Sequence, residues 1–208
     1  PITNEQMALI YEAVRNTPTS YNGQQFSVID ITDQDVKEQL YSLTGQKQIK
    51  TCSHFLLFLI DYHKIALLSE EKGIDIPCFN NTADGLIVGV VDATLAMMSA
   101  LTMAESLGLG TCPIGYARTA TPEAVASLMK LPDKTFVVCG LALGVPREHP
   151  DLKPKQPVGL VVHKNHYRQD SEAMIDELKA YDETVSEYNR TREGTKSAND
   201  WAGNIVGY

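Results

Sequence analysis

DGLIVGVVDATLAMMSALTMAESLGLGTCPIGY, residues 84–116, is the stretch whose reading decides the fold. Apolar residues run through it without a polar stripe, and between Leu86 and Ala104 the only charge is Asp92. The pattern predicts one long helix, stopped by Gly108 and Gly110 and followed by a tight Pro113-Ile114-Gly115 turn. A helix apolar all round is buried in a core, lies in a membrane or is covered by another subunit. A span needs roughly 20 apolar residues. Against a span stand Asp92 in mid-segment, the polar Thr94, Ser99 and Thr102, and flanks (Asp84, Glu105) without basic anchors. The expectation is the central helix of a soluble protein at a dimer interface. The small residues Gly89, Ala93, Ala96 and Ala100 would let another helix approach closely.

The rest of the chain bounds the possibilities. Its 208 residues, 43% of them apolar, suffice for one good core, so a single domain over 1–208 is expected. A net charge of −8 argues against nucleic acid and against an anionic membrane surface as partners. A polyanionic ligand would need a local basic cluster. The four cysteines (Cys52, Cys78, Cys112, Cys139) form no C-x-x-C pair, and free buried thiols in a reducing, cytoplasmic setting are expected. Cys52 lies near His54 but lacks a second ligand pair, and the other histidines are scattered, so no metal site is expected.

Working outward from the central stretch, Thr3 to Gln6 form a capping box ahead of Met7, Ile10, Tyr11 and Val14 at helical spacing. A polar loop, TPTSYNGQQ (17–25), precedes a strand, FSVIDIT (26–32). Thr32 with Asp35 signals a second capped helix through Leu43, closed by a turn at Gly45-Gln46-Lys47. HFLLFLID (54–61) reads as a strand buried on both faces, followed by a helix from about Tyr62 to Glu71 and a loop over 73–83. Beyond the central stretch, Thr121-Pro122 starts a helix with threonine as its cap, FVVCGLALG (136–144) is a buried strand, and GLVVH (159–163) a short one. A helix from Ser171 carries Met174, Leu178, Tyr181, Val185 and Tyr188 on one face. Helices and strands mix without strict alternation, so the class is α+β.

Several chemistries are absent. A helix precedes Gly108 and Gly110, and the glycine spacing fails, which rejects a dinucleotide fingerprint. There is no Walker A loop, G-x-S-x-G elbow or H-E-x-x-H motif. What remains is a set of loops rich in backbone donors and small polar side chains. They hold Thr19, Ser20, Asn22 and Gln24, then Gln46, then Pro113 to Tyr116, and finally Lys153-Pro154-Lys155. Such loops suit a ligand with a phosphate at one end and a polar heteroaromatic ring at the other. Taken alone, turn chemistry explains the glycines and prolines equally well, and solvated charge explains the lysines.

Four stretches in this order carry a resemblance: TPTSYNGQQFSVIDITD (17–33), LTGQKQI (43–49), residues 89–115 of the central stretch, and LALGVPREHPDLKPKQP (141–157). The chain resembles the FMN-dependent nitroreductases, most closely the NADPH-preferring, oxygen-insensitive branch that includes flavin reductases. The resemblance implies an α+β fold with a central mixed or antiparallel sheet around a long buried helix. It also implies a homodimer with two FMN sites at the interface. Carried over by position, Thr19 and Ser20 look like the loop that lies against the flavin, supplied by the neighbouring subunit. Gln46 looks like the partner of the pyrimidine edge. Pro113, Ile114, Gly115 and Tyr116 look like the turn along the reactive edge, where an N–H of Gly115 or its neighbour faces N5. Lys153 and Lys155 look like phosphate partners, and Arg192 falls where the branch holds the NADPH 2′-phosphate.

The resemblance thus implies two-electron, ping-pong reduction of nitroaromatics, quinones or free flavins by NADPH or NADH, with no catalytic side chain. The alternative is a flavin-binding redox sensor or flavin store without turnover. Two departures stand out. Family members carry an Arg-Ser-x-Arg phosphate-binding segment just before the position of Pro1, and such a segment is expected to precede this sequence. Lys155 also stands where an arginine is found in close relatives, which weakens bidentate phosphate recognition.

Overall fold

A computed structural model describes residues 1–74, 82–119, 121–148, 150–194 and 196–207. Cys78, His149 and most of the loop expected over 73–83 lie outside the described residues. The chain gathers into two compact units, Pro1–Arg147 and Glu148–Tyr208. In chain order the first holds α1 (Asn4–Arg15), a 3-10 turn (Ser20–Asn22), β1 (Phe26–Ile31), α2 (Gln34–Thr44), α3 (Lys47–Thr51) and β2 (His54–Asp61). It continues with α4 (His63–Lys72), α5 (Ala83–Ser106), β3 (Gly110–Ile114), α6 (Tyr116–Thr119), α7 (Pro122–Leu128) and β4 (Thr135–Gly144).

The four strands pair in the order β1-β2-β4-β3, every pair antiparallel. The sheet separates two apolar layers because side chains of a strand alternate between its faces. Leu56, Phe58 and Ile60 of β2 face α1 and α5 together with Met7, Ile10, Val14, Ala93, Ala96, Ala100 and Ala104. Phe55, Leu57 and Leu59 face the other way, toward Leu40 of α2, Ile49 of α3, Ala117 of α6 and Val125 of α7. The continuous apolar run at 54–61 is therefore a strand covered on both faces, as its composition predicts.

α5 is the long central helix, 24 residues, and is long and apolar enough to cross a membrane by composition. It is buried along one stripe only, through Gly85, Gly89, Asp92, Ala93, Ala96, Ala100 and Ala104. The small residues serve the sheet rather than another helix from outside the chain: a Cβ on Gly89 would lie 2.5 Å from Ile60 Cγ2. Leu86, Ile87, Val90, Val91, Leu95 and Met98 stay exposed on this chain. Leu107 caps the helix and Gly108, at φ +76°, turns the chain away, as the glycine signal predicts.

Several local expectations are corrected. The Pro113-Ile114 segment is strand, with Pro113 opposite Leu141 and Ile114 opposite Gly140, and the turn begins only at Gly115. Proline lacks the N–H for an inner ladder, but β3 is an edge strand. Asp33, not Thr32, caps α2, its carboxylate accepting from the N–H groups of Asp35 and Val36 at 2.8 and 3.2 Å. Thr121 sits at the start of α7, yet its buried hydroxyl makes no capping bond. Gln46 opens a further short helix, α3, beyond the expected turn.

The second unit holds α8 (Val158–Val161), α9 (Ser171–Thr191) and α10 (Trp201–Val206). The expected strand at 159–163 is instead the helical turn α8 after Pro157, closed by Leu160 N–H to Pro157 O at 2.9 Å. Its β-branched composition reads as strand, but among the described residues no strand pairs with it. The predicted face of α9 turns inward, and Trp201 of α10 meets Tyr181 edge-on with ring centroids 5.7 Å apart.

Candidate functional site

The polar loop over 17–25 is fixed by a group far away in sequence. Asp92 of α5 is fully buried, and its carboxylate accepts from Ser20 N–H at 3.1 Å and Gln25 N–H at 3.2 Å. The Gln25 carboxamide extends this hold: its nitrogen donates to Tyr21 Oη at 2.9 Å, and its oxygen lies 3.0 Å from the Tyr62 hydroxyl, which shares its one proton with Gly85 O of α5 at 2.7 Å. Burial, with Tyr21, Asp92 and Asp84 nearby, pushes the Tyr62 hydroxyl up to about 12. Thr17 Oγ1 meets Ser99 Oγ at 2.9 Å, a second tie to α5. Within the loop the Thr19 hydroxyl accepts from Gln24 N–H at 3.2 Å. Among the described residues the Ser20 hydroxyl has no hydrogen-bond partner.

Gln46, Gly115 and Tyr116 each adjoin or belong to an element that packs on the opposite layer. Gln46 precedes α3, whose Ile49 shares a core with Ile114 and with Ala117 of α6. The half-buried Gln46 side chain makes no hydrogen bond among the described residues. Pro113 and Tyr116 are exposed and flank Gly115. That glycine has no positive φ, and a Cβ there would meet nothing nearer than Arg118 Nη2 at 3.8 Å. Neither backbone conformation nor packing inside the chain calls for glycine at this position. A ligand lying close against the backbone would, and so the residues present fit a flat ring at Gly115 with a polar edge at Gln46. Ser20 is tied to α5 through Asp92, whereas Ile114 and Ile49, which adjoin Gly115 and Gln46, pack on the opposite face of the sheet.

The second unit carries the basic candidates. Lys153 and Lys155 are exposed and form no ion pair among the described residues, while Tyr181 Oη donates to Pro154 O at 3.3 Å and holds the segment between them. Two unpaired ammonium groups on an anchored segment fit a phosphate. Arg192 follows α9 as its cap, its guanidinium carbon 5.9 Å from the Tyr188 ring, and its Nε is buried without a hydrogen-bond partner.

Other reactive groups are engaged elsewhere. His54 Nδ1 lies 2.8 Å from an Asp30 carboxylate that also accepts from the Tyr11 hydroxyl. Burial pushes the Cys139 thiol up to about 11 and raises that of Cys52, and both are free thiols. Among the described residues no three His, Cys, Asp or Glu side chains assemble as a metal site. Sequence reading missed Asp92 as an anchor, counting it only as a charge; a lone acid on an otherwise apolar helix was the available signal.

Residues 1–145 match the nitroreductase family model, and residues 153–208 match that of the nitroreductase family C-terminal domain. The chain belongs to the nitroreductase family. Among its relatives, an oxygen-insensitive NADPH nitroreductase from Salmonella typhimurium is 37% identical over 99% of the chain and 82% of the relative. An FMN reductase [NAD(P)H] from Bacillus subtilis is 36% identical over 100% of the chain and 83% of the relative. Among solved structures, a nitroreductase from B. subtilis superposes with a TM-score of 0.93 at 30% identity, covering 99% of this chain and 83% of that one. This nitroreductase-family chain is thus an oxidoreductase of the branch that holds NADPH-dependent nitroreductases and FMN reductases.

Proposed function

We propose that the chain is a cytoplasmic, homodimeric FMN enzyme that uses NADPH, or NADH, to reduce nitroaromatics, quinones or free flavins by two-electron ping-pong transfer. The observation that carries the reading is Gly115, a glycine that nothing within the chain requires, at the end of an edge strand and on the layer that also holds Gln46. The Vibrio harveyi NADPH:FMN oxidoreductase, solved with NAD+, shares the fold at a TM-score of 0.83 and supports the choice of cofactors.

When bound, FMN would supply the two-electron redox chemistry between nicotinamide and acceptor. The protein supplies placement and charge. Gln46 offers both donor and acceptor to the pyrimidine edge. Gly115 and its neighbours would bring backbone N–H groups close to the reactive edge, with Pro113 and Ile114 in the strand that leads to the turn and Tyr116 in the helix that leaves it. Lys153 and Lys155 hold the phosphate, and the Arg192 guanidinium supplies charge for the NADPH 2′-phosphate. No side chain acts as a general acid. Thr19 and Ser20 reach the site from the neighbouring subunit, in accord with their place on the α5 layer. The exposed apolar row on α5 supports the same pairing, because large contiguous apolar faces on a folded chain mark interfaces.

Initial-rate kinetics test the proposal. Parallel lines in double-reciprocal plots of NADPH against a quinone are expected after loading with FMN. Intersecting lines would remove the ping-pong step. FMN binding without NADPH oxidation would leave a flavin sensor or store.

A further inference from the structure

We infer that Asp92 is a positioning residue for the flavin, its buried carboxylate setting the loop that presents Thr19 and Ser20. The inference rests on the flavin reading above. Asp92 occupies a stripe of α5 whose other members are Gly85, Gly89, Ala93, Ala96, Ala100 and Ala104. An alanine would pack there at least as well, and burying a carboxylate is costly unless it is compensated. Compensation comes only from the loop: among the described residues its two hydrogen bonds go to Ser20 N–H and Gln25 N–H. The acid therefore serves the loop rather than the core.

The loop needs such a hold. Tyr21, Asn22 and Gln24 all adopt left-handed backbone, at φ 41°, 57° and 51°. Non-glycine residues resist that conformation, and three within four positions persist only where the surroundings dictate them. Gly23 is no relief, since its own φ is −69°. Glycine there leaves room for the lock: a Cβ would lie 2.2 Å from Gln25 Nε2, the amide that bonds Tyr21, and would displace that side chain. Asp92 thus grips the backbone at both ends of the left-handed segment, while Gln25, Tyr62 and Gly23 lock its middle. A segment held this firmly against its own backbone preference is preorganised, as a ligand-facing loop must be.

The test compares Asp92→Asn with the parent protein. A carboxamide can accept from one N–H, but its NH2 opposes the other. Amide hydrogen exchange in the flavin-free protein should speed up by about tenfold or more at Ser20 or Gln25, whichever N–H faces the new NH2, the loss of one charge-assisted bond. Exchange of Leu57 and Leu141, in the two central strands, should be unchanged. The FMN dissociation constant, read from quenching of flavin fluorescence, should rise about tenfold. Unchanged exchange at Ser20 and Gln25 overturns the inference. Faster exchange with FMN affinity held within about twofold also overturns it, leaving a purely structural acid. Should Asp92→Asn fail to fold, Asp92→Ala carries the test, because it removes the acceptors of the Ser20 and Gln25 N–H groups and suits the small-residue stripe of α5. It should speed exchange at Ser20 and Gln25 and weaken FMN about tenfold, and no change in either overturns the inference. Failure of the parent to bind FMN sinks the flavin reading itself, and the exchange rates then still decide whether Asp92 holds the loop.

Discussion

Gly89→Ala reverses the usual sign of a helical glycine substitution. In an exposed helix interior, glycine to alanine stabilises by about 1 kcal/mol through backbone entropy. At Gly89 the new methyl would stand 2.5 Å from Ile60 Cγ2 and 3.0 Å from Cγ1. Ile60 is β-branched, 4% exposed and paired with Phe26 and Phe136 in the ladders, so it has neither a free rotamer nor a free backbone to yield. Overpacking of this kind costs about 1–3 kcal/mol, so the net change is a destabilisation of up to about 2 kcal/mol. Urea unfolding reads it as a lower midpoint at constant slope. The control is Ile60→Ala, which removes the two nearer of the three crowding carbons, leaves Cβ at 3.2 Å, and by itself costs about 2–5 kcal/mol. In that background Gly89→Ala should become stabilising, by up to about 1 kcal/mol, so the two changes couple strongly. A raised midpoint for Gly89→Ala in the parent protein would refute the packing of α5 on β2.

Gly115→Ala should leave stability within about 0.5 kcal/mol, since the new Cβ would meet only Arg118 Nη2, at an unstrained 3.8 Å, yet weaken FMN binding; an unchanged flavin titration would remove Gly115 from the site. Leu95→Arg, in the middle of the exposed row on α5, should convert a dimer to monomer in sedimentation and release flavin with it; a parent protein that sediments as a monomer would end the two-subunit account. The Tyr11 and Tyr62 hydroxyls, both held at about 12 against an ordinary 10.0, keep their protons where the unfolded chain has lost them. Stability should therefore fall as pH rises from about 10 toward 12, and Tyr62→Phe should flatten the fall; a urea midpoint constant across that window would contradict it.

What the sequence revealed follows the range of the interactions involved. The Thr3–Gln6 capping box is complete within four residues, and both of its bonds form, at 3.0 and 3.2 Å. The run at 54–61 announces a strand covered on both faces because burial of every residue leaves no other periodicity. Long-range partners leave no such trace. Asp92 and Ser20 are 72 positions apart, and nothing local to either names the other. Composition misled where a neighbour decides: Val158 to Val161 favour strand by propensity but coil into a turn after Pro157, and Pro113 suggests a turn but sits on an edge where its missing N–H costs nothing. At the candidate site, the loop residues follow from family resemblance, while the physical reasons for them lie in the fold. The open space before Gly115, the unpaired amide of Gln46 and the left-handed backbone of Tyr21 are invisible in a string of letters.

The most direct test of the central claim is the visible spectrum of the FMN-loaded protein under anaerobic conditions, before and after one equivalent of NADPH. Bound flavin absorbs near about 370 and 450 nm. The account predicts that the longer-wavelength band bleaches on addition of NADPH and returns when a quinone is added. A band that forms but persists with NADPH and NADH alike would contradict the reductase, and no band after loading with FMN would contradict the site.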